Sequence, residues 1–208
     1  VGEQTKLTVL KELLYPDSLG LLYSTFTAFC GFKVNFGEYK LMGLAPYGSP
    51  KWVKQILENI VDLKDDGSFK LNPSYFKYRE YQQMYSDEFA KLFGIAPRTP
   101  ESKIDIAYMD IAASIQEVTN LIILKQARYL RDITNCKNLV LAGGCALNCV
   151  SNGLILKEGI FENVWIQPAA NDSGGSIGAA LYAYYELTKS IRIPSLFDSQ
   201  KGSFLGPE

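Results

Sequence analysis

Asn138-Leu-Val-Leu-Ala142 running into Gly143-Gly-Cys-Ala-Leu-Asn148, and Asn163-Val-Trp-Ile-Gln167 running into Pro168-Ala-Ala-Asn-Asp-Ser-Gly-Gly-Ser176, decide the fold of this chain. Each is a short apolar run that ends on a glycine pair and leads into a helical pattern, so the C-terminal half reads β-α-β-α. Strands alternating with helices predict an α/β fold: a largely parallel sheet with covering helices and right-handed crossovers. In open sheets of this kind, ligands bind beyond the carboxyl ends of the strands, where these two junctions fall.

Upstream, Ile104, Tyr108, Ile111, Ile115, Val118 and Ile122 recur at spacings of four and three, predicting a long helix from Ser102 or Lys103 to Ile133. Leu19, Leu22, Tyr23, Phe26 and Phe29 mark another helix, capped by Asp17 or Ser18. Thr5 to Leu14 reads as a strand, although periodicity alone also permits a short helix. Gly31, Gly37, Gly43 and Gly48, with Pro46 and Pro50, make a loop-rich stretch that leaves Lys51 to Ile60 as a brief amphipathic helix. Val61 to Asn72 reads as a hairpin around Asp65-Asp66-Gly67-Ser68. Tyr75 to Tyr85 has no clear period.

The chain has 208 residues, enough for one substantial domain. Its 21 Lys+Arg against 22 Asp+Glu supply no basic footprint for nucleic acid or an anionic membrane. There is no histidine, which removes Ser-His-Asp and Cys-His machinery and HExxH zinc sites from this chain. The four cysteines, Cys30, Cys136, Cys145 and Cys149, lack metal or redox spacing, and Cys145 and Cys149 read as small buried hydrophobes. No apolar run approaches the ~20 residues of a membrane span and the residues from Val1 onward show no basic region followed by an apolar core, so a cytoplasmic location is expected. The start at Val1 and the end on Gly206-Pro207-Glu208 read as a piece of a longer protein.

Three segments carry candidate chemistry. At the first junction, Gly143 and Gly144 permit a tight bend and close approach of a ligand to the following helix N-terminus, which suits a phosphate; a plain structural turn is the competing reading. At the second, Asp172 stands before Gly174 and Gly175, where a carboxylate can ligate a hard cation held against phosphates or simply cap the helix with Asn171 or Ser173. The third is Gly37-Glu-Tyr-Lys-Leu-Met-Gly-Leu-Ala-Pro-Tyr-Gly48, in which Lys40 is either a mobile cation for a phosphate or the surface partner of Glu38. On the long helix Gln116 lies among apolar positions; it either reaches a site or is exposed, as glutamines more commonly are.

Together with Asp17-Ser-Leu-Gly-Leu-Leu-Tyr23 and Gly178-Ala-Ala180, these blocks in this order resemble the O-carbamoyltransferase family that includes nodulation protein U and the antibiotic carbamoyltransferases. The resemblance covers nearly the whole chain. It implies part of an actin-like (ribonuclease-H-like) ATPase domain with several long helices: residues 1–190 would be its second half, and 191–208 a linker towards a YrdC-like domain. It implies ATP and carbamoyl phosphate as substrates, a carbamoyl-adenylate between them, and a hydroxyl of a sugar or natural product as acceptor. By the same resemblance, Gly143, Gly144 and Asn148 would contact the nucleotide, Gly174 and Gly175 its phosphates, and Asp172 a divalent metal such as iron or magnesium. Lys40 and Asp172 are the candidate catalytic residues.

The family's histidine ligands have no counterpart here, so residues 1–208 alone are expected to be inactive. An unpaired sheet edge is expected to leave Thr5 to Leu14 paired outside its family position or to drive a homodimer. Half of a sugar-kinase-like or chaperone-like ATPase and a non-catalytic nucleotide-binding module are the alternatives.

Overall fold

The computed structural model describes residues 1–78, 83–193 and 195. Along the chain run β1 (Gly2–Glu3), β2 (Lys6–Leu7), α1 (Leu19–Phe29), α2 (Glu38–Leu44), α3 (Val53–Gln55), β3 (Val61–Leu63) and β4 (Phe69–Leu71). They are followed by α4 (Asp87–Phe93), α5 (Ile106–Thr134), β5 (Asn138–Leu141), α6 (Cys149–Lys157), β6 (Asn163–Ile166) and α7 (Ser173–Thr188). The chain is mixed α/β and divides into two compact units, within a span that the sequence presents as one segment. One holds Leu13–Ile133 and Asn148–Ile160; the other holds Val1–Glu12, Thr134–Leu147 and the described residues from Phe161 onward. Most of the expected linker, residues 194 and 196–208, lies outside the described residues.

The first unit is helical and contains the main apolar core. Ser18 caps α1, its hydroxyl accepting from the Leu21 N–H at 3.2 Å, so that Leu22, Tyr23, Phe26 and Phe29 all face inward. Phe26 and Phe29 meet Phe89 of α4 edge to face at 4.9 and 5.2 Å, and Phe93 joins them at 5.1 Å from Phe89. Each such ring, fully buried, stabilises the unit by roughly 1.5–3 kcal/mol. Ile111, Ile115, Val118 and Ile122 of α5 complete the core at the spacing expected from sequence. The start of α5 differs: Glu101 sits at φ 62 and Ser102 turns back on the Thr99 carbonyl, so the helix begins only at Ile106. The Lys51–Ile60 helix is broken into α3 and a five-residue π turn, Ile56–Ile60. The hairpin is present, with Val61 paired to Leu71 and Gly67 at φ 78 in its turn.

In the second unit β5 and β6 pair in parallel, from Asn138↔Asn163 to Leu141↔Ile166. The expected strand Thr5 to Leu14 is a correction. Gln4 at φ 56 turns the chain so that Lys6 and Leu7 fold back antiparallel on Glu3 and Gly2. Beyond Leu7 no partner strand exists among the described residues, and Val9, Leu10 and Leu14 lie exposed. Among the described residues the strands therefore form three separate pairs, not one continuous sheet.

Candidate functional site

Both glycine junctions belong to the second unit, and they adjoin. The Gly143 N–H donates to the Ala170 carbonyl at 2.6 Å, and the Gln167 N–H donates to the Leu141 carbonyl at 3.1 Å, carrying the parallel pairing past the strand ends. Gly143 sits at φ 92, which only glycine adopts without strain. At Gly174 a Cβ would lie 2.1 Å from the Ala169 carbonyl oxygen, so the second loop closes on itself there. These two glycines have structural reasons. Their partners do not: a Cβ on Gly144 or Gly175 would meet nothing within 4 Å.

The anion reading fares differently at the two junctions. After Gly143 a single turn of tight helix, Gly144–Leu147, intervenes before α6, and the Gly144 and Cys145 N–H groups at its head find no acceptor outside the turn among the described residues. At α7 the leading N–H groups are in use: Ser173 donates to Asn171 Oδ1 at 3.2 Å, Gly174 to the Asn171 carbonyl and Gly175 to the Asp172 carbonyl. Asn171, rather than Asp172, thus supplies the side-chain cap. Asp172 is exposed and makes no capping hydrogen bond, which leaves its carboxylate available. No group of three or more His, Cys, Asp or Glu among the described residues could hold a metal ion.

Lys40 and Asn148 belong to the helical unit. Glu38 Oε1 accepts from Ser24 Oγ at 2.7 Å and from the Asn35 N–H at 2.9 Å. Lys40, exposed on α2, forms no ion pair among the described residues, so the surface pair with Glu38 is not made. The loop that follows is fixed by packing. A Cβ at Gly48 would fall 2.1 Å from the Met109 carbonyl oxygen, and buried Asp110 takes the Ser49 N–H at 2.8 Å and the Lys51 ammonium at 2.6 Å. Burial works against the Asp110 charge, but these two donors hold its carboxyl below the usual carboxylate range. Asp110 escaped the sequence reading; a lone carboxylate beside Ile111 on an apolar stripe was its signal.

Gln116 is buried, against the commoner expectation for a glutamine, and centres a polar network. Its Oε1 accepts from the Tyr23 hydroxyl at 3.0 Å, and its Nε2 donates to Asn120 Oδ1 at 2.9 Å. Asn148 caps α6, its Oδ1 accepting from the Ser151 N–H at 3.1 Å. Burial pushes the Tyr23 hydroxyl well above the ordinary tyrosine range, so it remains a donor. Cys30 is buried, its thiol pushed up to about 12 by burial, whereas Cys145 and Cys149 are exposed. That corrects their reading as buried hydrophobes: the glycine junction puts Cys145 in a surface turn and Cys149 at the outer start of α6. Two shallow cavities, about 350 and 520 Å³, are lined by Leu57–Asn72 residues and by the Asp65–Asp132 region and contain none of the candidate residues.

The parallel pair with its adjoining strand–glycine–helix junctions makes this a mixed α/β protein. Over residues 1–181 the sequence matches the family described as carbamoyltransferase N-terminus, and the chain belongs to it. It is 52% identical to the uncharacterized protein sll1178 of Synechocystis sp., over 99% of this chain and 34% of that protein. It is 35% identical to nodulation protein NolNO of Sinorhizobium fredii, over 100% of this chain and 29% of that protein. To nodulation protein NolO of Bradyrhizobium diazoefficiens it is 33% identical, over 100% of this chain and 36% of that protein. The chain thus spans about a third of the length of these relatives. No helix among the described residues is long and apolar enough to cross a membrane.

Proposed function

We propose that this chain is the nucleotide-handling part of an ATP-dependent O-carbamoyltransferase, within an actin-like (ribonuclease-H-like) ATPase domain of a cytoplasmic enzyme. The adjoining junctions carry the reading: Gly143 N–H on the Ala170 carbonyl sets two glycine pairs side by side at one sheet end. Gly144 and Gly175, which have open space where a Cβ would stand, let phosphate oxygens approach the backbone. The Gly144 and Cys145 N–H groups are donors for that charge. Lys40, in the helical unit, is a separate catalytic candidate, an exposed cation on a flexible stem.

Carbamoyl phosphate would lose phosphate to water to give carbamate, whose oxygen would attack the α-phosphate of ATP with release of pyrophosphate to give carbamoyl-adenylate. A sugar or natural-product hydroxyl would then take the carbamoyl group, releasing AMP and a proton. A divalent ion, when bound, would neutralise phosphate charge, with Asp172 as the ligand from this chain. Membership of the carbamoyltransferase family favours this reading over a phosphate-transferring kinase half or a non-catalytic module. Edge-mediated homodimerisation goes with the proposal, since β5 and β6 each keep one edge unpaired among the described residues.

The test is Asp172→Asn in the longest expressed form of the protein. Since the side chain makes no cap, stability should change by less than about 0.5 kcal/mol. Metal-dependent carbamoyl transfer should fall about 100-fold. Unchanged transfer would assign Asp172 to the surface and remove it from the site.

A further inference from the structure

The orientation of one side-chain amide is settled by a backbone group. Ser151 N–H can only donate, and it points at Asn148 from 3.1 Å, so the atom facing it is the amide oxygen, Oδ1. Gln116 then reads the same amide in both directions. Its Nε2 donates to Asn148 Oδ1 at 3.1 Å, and its Oε1 accepts from Asn148 Nδ2 at 3.1 Å. Gln116 is itself held the right way round by Tyr23, whose hydroxyl donates to Oε1 at 3.0 Å, and by Asn120 Oδ1, which accepts from Nε2 at 2.9 Å. Ser151 Oγ locks Asn120 in turn, donating to its Oδ1 at 2.8 Å. Every link runs in the same sense. Turning the Asn148 amide over would set its NH₂ against the Ser151 N–H and its oxygen against Gln116 Oε1, losing three hydrogen bonds at a half-buried place.

With both acceptor directions of Oδ1 and one Nδ2 hydrogen in use, a single valence of Asn148 is left: the second Nδ2 hydrogen, which has no acceptor among the described residues. We infer that Gln116 is a positioning residue that makes Asn148 a hydrogen-bond donor only, so that the ligand group Asn148 recognises is an acceptor, a nucleotide phosphate or ribose oxygen. This rests on the proposed function and on the family resemblance, by which Asn148 would contact the nucleotide, and adds the sense of that contact and the residue that enforces it.

The experiment measures ATP and ADP dissociation constants by calorimetry on the longest expressed protein, beside its thermal unfolding. Asn148→Ser keeps a capping oxygen but is too short to place a donor where the second Nδ2 hydrogen stands, and should weaken ATP about tenfold while the melting temperature holds nearly steady. Gln116→Glu keeps the acceptor for Tyr23 but presents oxygen to Asn148 Oδ1, and should weaken ATP by a similar factor although Gln116 itself touches no nucleotide. Should Gln116→Glu fail to fold, the wild-type Asn148 side-chain amide decides by nuclear magnetic resonance. One of its two hydrogens should shift on adding ADP while the other, bound to Gln116, stays. Wild-type binding that neither variant weakens, or an amide that ADP leaves untouched, overturns the inference while leaving the nucleotide reading intact. Absence of ATP and ADP binding by the wild type overturns that reading and the inference with it.

Discussion

The four glycines of the two junctions are chemically identical and physically distinct. Gly143 is required by its φ of 92, and Gly174 by the Ala169 carbonyl 2.1 Å from any Cβ. Alanine at either should destabilise the second unit by more than about 1 kcal/mol. Gly175 stands in the first turn of α7 with open space around it. There Gly175→Ala should be neutral or stabilising by about 0.5 kcal/mol, because it limits the unfolded chain. If phosphate approaches that backbone, the same substitution weakens ATP binding. Chemical denaturation beside nucleotide titration separates the two: a more stable protein that binds ATP normally would make Gly175 dispensable to the site. In sequence the pairs are indistinguishable, because a glycine symbol does not say whether φ, a close carbonyl or a ligand requires it.

At the scale of elements, the parallel pair, the β3–β4 hairpin and the core face of α5 were all legible. Each follows from side-chain periodicity or from a turn with a required residue, such as Gly67. What was not legible depends on partners. Thr5 to Leu14 has strand-like composition, but a strand exists only where another strand takes its N–H and C=O groups, and after the turn at Gln4 only Lys6 and Leu7 find such a strand among the described residues. The Asp110 anchor is of the same kind: nothing near Asp110 in sequence announces Ser49 and Lys51. Its consequence is measurable. The folded carboxyl titrates below its ordinary value of 3.8, so near that pH the unfolded chain binds more protons than the folded one. The stabilisation is therefore complete above about pH 5 and is lost as the pH falls through the ordinary value to the depressed one. Asp110→Asn should cost about 1–2 kcal/mol at pH 7 and flatten the decline in stability between about pH 5 and pH 2, followed by urea unfolding. An unaltered pH profile would show that the pair contributes nothing.

For the whole molecule, the unfilled side of the reading is composition: average charge and apolar content announce a folded chain but not its division into two units. That division follows from which residues meet, and it threads the chain unequally. The helical unit takes one uninterrupted stretch, Leu13–Ile133, plus the short return Asn148–Ile160. The other gathers Val1–Glu12, Thr134–Leu147 and the residues from Phe161 onward, so its first segment must wait for the closure of a long loop. Contacts within a contiguous stretch form at lower entropic cost and sooner than contacts across such a loop. Refolding should accordingly be biphasic, with amides of α1, α4 and α5 protected in the early phase and those of β1, β2 and the Gly143–Ala170 hydrogen bond in the late one. Pulsed hydrogen exchange reports both, and simultaneous protection would mean a single cooperative step. On the ribosome the order has a further consequence: Val1–Glu12 would emerge well before the segments of their own unit, Thr134–Leu147 and Phe161 onward, and would have to wait for them.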